Sequence, residues 1–135
     1  VIPINVYVDM CADLFHYGHV SLLKRAKYMG NNLIVGIHSD HTIKSYKRTP
    51  IMNMEERIAV LEACKYVDKV IPNAPLEITE DYIKNNNIVI IAHAHSKEED
   101  DKYKFMYNIP SKLGIFRRLD YTPSISTTNI INRFK

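Results

Sequence analysis

Five short apolar bursts divide this sequence, at residues 4–8, 33–37, 69–71, 88–92 and 115–119, and the stretches between them carry helical patterns. The bursts are rich in Val and Ile and nearly continuous, as expected for strands buried on both faces. Strands alternating with helices specify an α/β chain. Because crossovers between parallel strands are right-handed, this order predicts a doubly wound, five-stranded parallel sheet. Ligands of such sheets bind at the carboxyl ends of the strands, so the loops after strands one, four and five are expected to carry the chemistry. With 135 residues the chain has enough material for one core, and residues 1–135 read as a single domain.

The helical patterns are specific. Residues 20–29 place Leu22, Leu23, Ala26 and Met29 on one stripe, turn Lys24, Arg25 and Lys27 outward, and end before Gly30. Residues 54–64 repeat the stripe through Ile58, Leu61 and Cys64, and Asn53 with Glu56 has the spacing of a capping box. Further helices are expected at 79–84, at 102–113 with an interruption at Pro110, and at 127–134. The hydroxyl triplet Ser126, Thr127 and Thr128 suits the start of the last one.

Eighteen Lys and Arg against fifteen Asp and Glu give +3, an excess that suits small anions but falls short of a nucleic-acid footprint. Cys11 and Cys64 show no C-x-x-C spacing, which argues against a disulfide framework or zinc ribbon and points to a reducing, cytoplasmic setting. No apolar run approaches the roughly 20 residues that span a bilayer, so no membrane partner is expected within this segment. The chain opens on valine rather than methionine, and flanking segments are expected beyond its ends.

Between the first strand and first helix, Asp9-Met10-Cys11-Ala12-Asp13-Leu14-Phe15-His16-Tyr17-Gly18-His19 sets two imidazoles about a glycine at a helix start. Such a place already offers unpaired N–H groups and the positive end of a helix dipole, so His16 and His19 add donors aimed at an anion. Charge building on a phosphoryl group during displacement would be stabilised there, and Gly18 permits a close backbone approach. An H-x-x-H pair without an intervening glutamate or a third ligand at the usual spacing does not read as a zinc site, and no metal ligands are assigned.

A strand, then His-Tyr-Gly-His opening a helix, then Ser126-Thr127-Thr128 opening the last helix resembles the HxGH nucleotidyltransferases, with their Rossmann-like core. The resemblance runs from Val6 to Arg133 and is nearest to the cytidylyltransferase branch, which includes phosphocholine, phosphoethanolamine and glycerol-3-phosphate enzymes. It implies that a phosphomonoester attacks the α-phosphate of CTP, usually with Mg2+, and that pyrophosphate leaves. It gives catalysis to His16, His19 and Lys47, with Lys47 between the two reacting phosphates. Nucleotide contacts are implied for Asp9, Cys11, Ala12, Gly18, Arg57, His93, Tyr121, Thr122, Ile125, Ser126 and Thr127. Acceptor contacts are implied for Lys47, Leu76, Ala94 and Tyr103. A cytoplasmic homodimer is the expected form.

Departures from the branch bear on both ligands. In its RTEGISTT signature Tyr121 replaces the arginine, Pro123 the glutamate and Ser124 the glycine, and Arg117 or Arg118 is expected to restore positive charge. Met10 and Ala12 stand for a glycine and a phenylalanine in the first loop. Leu76 and Ala94 stand where phosphocholine enzymes carry an aromatic ring and an aspartate, while the acidic run 98–101 is placed to meet a primary ammonium. Phosphoethanolamine is therefore favoured over phosphocholine. Glycerol 3-phosphate as acceptor, adenylyl transfer, and a nucleotide-binding module without turnover stand as alternatives. The resemblance gives no role to His41 or His95.

Overall fold

The computed structural model describes residues 2–122 and 125–135; the altered signature positions Pro123 and Ser124 lie outside the described residues. In chain order the elements are β1 Asn5–Met10, α1 Tyr17–Lys27, β2 Asn32–Ile37, α2 Asp40–Lys44, α3 Met54–Ala63, β3 Lys69–Ile71, α4 Glu80–Asn85 and β4 Ile88–Ala94. A 3-10 turn Lys97–Glu99 follows, then α5 Asp100–Tyr103, α6 Asn108–Lys112, β5 Phe116–Leu119 and α7 Thr127–Asn132. The strands pair in parallel in the order β3-β2-β1-β4-β5, so the chain runs outward from β1 in one direction and then returns to run the other way from β4. The order reverses between β1 and β4, which opens a crevice at their carboxyl ends.

Strand periodicity sorts the core into two layers. Val6, Val8 and Met10 of β1, with Leu33, Val35 and Ile37 of β2, pack on Leu22, Leu23 and Ala26 of α1 and Leu61 of α3. Tyr7 and Ile34 face the other way, onto Ile78, Ile83, Met106 and Tyr107. A register shift of β4 against β1, where Asn5 pairs with Ile88 and Val6 with Ile90, leaves Val89 exposed. Beyond it Ile90, Ala92 and Ala94 join the first layer, and Ile91 joins the second. His93 and His95, two and four residues after Ile91, continue the second face toward Tyr103 and Tyr107.

The expected helix at 102–113 is two short ones, because the segment turns sharply after Tyr103 and restarts at Asn108, with Pro110 tolerated near the start of α6. α2 has no counterpart in the sequence reading; it is a single turn capped by Ser39, whose side chain accepts from Thr42 N–H. Asn53 and Glu56 form the expected capping box at α3. Among the described residues no helix is long and apolar enough to cross a membrane.

Candidate functional site

A cavity of about 590 Å³ opens at the crevice and is walled by the β1–α1 loop, the end of β4, the segment after α2 and the start of α7. α1 begins at Tyr17 because His16 acts as its N-cap: its Nδ1 accepts from Gly18 N–H at 3.0 Å. His19, three residues on, returns the favour, its Nδ1 accepting from His16 N–H at 3.0 Å. This is a capping box built from two imidazoles. A nitrogen that accepts a backbone hydrogen bond carries no hydrogen, so each neutral ring holds its hydrogen on Nε2 and is a donor there. Burial, then the neighbouring His16 and Lys47, pulls the His19 pKa down to about 3, against the opposing charge of Asp13. Burial and then Arg133 lower that of His16. Both rings therefore stay uncharged at neutral pH and offer N–H without accepting protons.

Gly18 is required by this cap. A Cβ there would stand 2.8 Å from His16 Cε1 and 3.0 Å from Nδ1, so the ring would be driven off the N–H it caps.

The loop ahead of His16 is held on every side. Ala12 and Leu14 adopt left-handed φ of 58° and 48°, a strained conformation for residues with a Cβ. The buried Asp13 carboxylate accepts from Ile51 N–H and Met52 N–H, each at 2.9 Å, and the Asp13 carbonyl accepts from Thr127 Oγ1 at 2.9 Å. Arg57 donates to the Cys11 carbonyl at 2.7 Å, to the His38 carbonyl at 2.9 Å and to the Met52 carbonyl at 3.2 Å, and pairs with Asp40.

That last arrangement corrects one sequence expectation. Arg57 is fully buried and absent from the cavity wall, with its guanidinium spent on the backbone of the site, so it supports the loop instead of reaching a nucleotide. Leu76 is also absent from the wall; it packs against the core layer of Tyr7 and Ile78, because the segment after Ala74 runs under the sheet. Arg117 and Arg118 are likewise elsewhere: Arg117 donates to the Gly114 carbonyl, and Arg118 to the His95 carbonyl and Asp120. None of residues 98–101 lines the cavity, since Glu99 caps Ser96 and Asp100 pairs with His95.

The other residues singled out in sequence meet on one wall: Asp9, Cys11, Ala12, His16, Gly18, His19, Lys47, His93, Ala94, Tyr103, Tyr121, Thr122, Ile125, Ser126 and Thr127. Ser126 Oγ caps α7 by accepting from Asn129 N–H, while Thr122 Oγ1 is buried with no hydrogen-bond partner among the described residues. Burial pushes the Cys11 thiol up despite Lys47 and Arg57 nearby, so it is a poor nucleophile. Arg25, Arg48 and Tyr46 also reach the cavity and were missed. Arg25 hid among the outward residues of an amphipathic helix, and Arg48 and Tyr46 in a charged loop, where nothing local separates a site residue from a solvated one.

On that wall, burial alone would raise the Asp9 carboxyl, but the hydrogen bond and charge of His38 and the Tyr107 hydroxyl at 2.6 Å hold it below the usual range. His38 Nδ1 lies 2.7 Å from Tyr46 Oη.

Comparison with known proteins places this geometry. The chain is 42% identical over 133 residues to an ethanolamine-phosphate cytidylyltransferase of Arabidopsis thaliana, covering 95% of this chain and 32% of that protein. It is 37% identical over 137 residues to choline-phosphate cytidylyltransferase A of Homo sapiens, covering 97% and 36%. The chain spans about a third of the length of the curated relatives it matches. A lipopolysaccharide core biosynthesis protein from Thermoplasma volcanium GSS1 superposes with a TM-score of 0.70 at 24% identity, over 89% of this chain and 97% of that one, which shows a shared fold. The family model described as cytidylyltransferase-like matches residues 7–133, and the chain belongs to that family.

Proposed function

We propose that this domain transfers CMP from CTP to a phosphoalcohol, with phosphoethanolamine as the acceptor, and releases pyrophosphate. The observation that carries the reading is the pair His16 and His19, fixed by their own cap as neutral Nε2–H donors on the same cavity as the Lys47 ammonium. An oxygen of the phosphomonoester attacks the α-phosphorus, and the bond from that phosphorus to the bridging oxygen of pyrophosphate breaks. The nucleophile is already an anion, so no side chain need remove a proton. What the reaction needs is stabilisation of negative charge and the holding together of two repelling phosphates. Two neutral donors supply the first, and a mobile ammonium supplies the second.

Support for phosphoethanolamine comes from relatives bearing that name at 42% and 40% identity and from the acceptor side of the cavity. Ala94 presents a methyl group there, and Leu76 is withdrawn, so neither supplies the ring or carboxylate that a quaternary ammonium would use. Magnesium is expected to arrive on the phosphates of CTP, which commonly need only one or two carboxylates from the protein, and among the described residues no group of three or more His, Cys, Asp or Glu could hold a metal ion. No step is assigned to it.

The test is pyrophosphate release with CTP or ATP against phosphoethanolamine, phosphocholine and glycerol 3-phosphate. Release with CTP and phosphoethanolamine is expected to dominate. Preference for ATP or for another acceptor would replace the reading, and CTP binding without release under any pairing would leave a binding module. A homodimer, proposed from the family resemblance, is checked by sedimentation of the same sample.

A further inference from the structure

We propose that His95, held by Asp100, is a positioning residue that fixes His93 in the tautomer whose bare Nε2 faces the cavity, where it accepts an N–H of the acceptor's ammonium group. The proposal rests on the activity argued above for the identity of the ligand, and on geometry alone for the relay.

His93 and His95 project from one face of β4, and their Nδ1 atoms lie 2.8 Å apart, a distance that admits one hydrogen between them. The hydrogen's owner is set from the far end. His95 Nε2 lies 2.7 Å from Asp100 Oδ1, and a carboxylate only accepts, so His95 carries its hydrogen on Nε2. A neutral His95 then has a bare Nδ1, the shared hydrogen belongs to His93 Nδ1, and His93 Nε2 is left as a lone pair. The alternative, a doubly protonated His95, would bury an imidazolium at 2% exposure. Its counter-charge would be a mostly exposed carboxylate, and the Arg118 guanidinium is already bonded to its carbonyl. Burial also draws His93 itself down to about 4, so its ring is uncharged at neutral pH.

The consequence is a division of labour among imidazoles in one cavity. His16 and His19 present hydrogens, which suits phosphate oxygens. His93 has no partner for Nε2 among the described residues and presents an electron pair, which repels phosphate and calls for a donor. Its ring lies against Tyr103, with centroids 4.8 Å apart, and feels the Asp9 carboxylate. A lone pair, an aromatic face and a nearby negative charge together suit a primary ammonium, which offers three N–H groups. A quaternary ammonium offers none.

Two readouts test this. In 15N-histidine-labelled protein, which needs no substrate, the His93 signals are expected to show Nδ1 protonated and Nε2 bare. His95→Phe, which keeps the ring but removes the acceptor, is expected to release that tautomer. It should raise KM for phosphoethanolamine about tenfold or more while KM for CTP stays within about twofold, and His95→Gln, whose Oε1 accepts, should recover part of the loss. Asp100→Ala, at an exposed side chain, gives the same direction should His95→Phe fail to fold. A His93 protonated at Nε2 overturns the relay even in an active enzyme. So does a bare Nε2 combined with unchanged KM for phosphoethanolamine, or a shift confined to CTP, which would assign the lone pair to the base. If no phosphomonoester reacts, the activity reading falls, and the nitrogen signals still decide the tautomer.

Discussion

Gly18 shows how much a single hydrogen can settle. With Cβ absent, the His16 ring folds onto the first turn of α1 and its Nδ1 is committed to the backbone. Gly18→Ala is expected to lose about 1 kcal/mol of stability, the usual worth of a cap, and to lower turnover ~10²-fold through misplacement of the Nε2 donor. Thermal melts and pyrophosphate release measure the two separately. His19→Ala removes the donor itself, and kcat should fall about 10²–10³-fold with the far-UV spectrum unchanged. A variant that unfolds instead would make His19 a structural residue. The histidine cap also explains why the apolar stripe started α1 at Val20: histidine is not among the usual capping residues, so the stripe alone marked the start about one turn late.

At the scale of elements, the loop between β1 and α1 depends on α3 and α7 more than on itself. Arg57 of α3 and Thr127 of α7 bind the Cys11 and Asp13 carbonyls, and the Asp13 carboxylate binds the backbone at Ile51 and Met52. Such ties keep Ala12 and Leu14 in left-handed conformations that would otherwise relax. Arg57→Met leaves the Cys11, His38 and Met52 carbonyls without their donor, and urea denaturation is expected to show a loss of about 1–3 kcal/mol. Were Arg57 a phosphate ligand, the same change would raise KM for CTP and leave stability alone. Asp13→Asn turns one accepting oxygen into a donor facing an N–H, so its expected cost is about 1–3 kcal/mol.

For the whole molecule, the depressed histidines set an acid limit. His19 titrates near 3 and His93 near 4 in the folded protein, while an unfolded chain takes up those protons near 6.5. The unfolded state therefore binds more protons between these values, and stability is complete above about pH 6.5 and falls as pH drops toward 4. Urea midpoints at about pH 7.5 and 5 should show the decline, and His93→Asn should flatten it. What the chain order alone determined is the architecture: five bursts, right-handed crossovers and strand period place the first loop, the end of β4 and the last helix at one crevice, because each signal is local and repeats. The roles of Arg57, His95 and Asp100 were decided only by tertiary structure. A guanidinium turned to backbone or to phosphate, and a hydrogen on one ring nitrogen or the other, depend on partners brought close by folding, and periodicity carries no record of them.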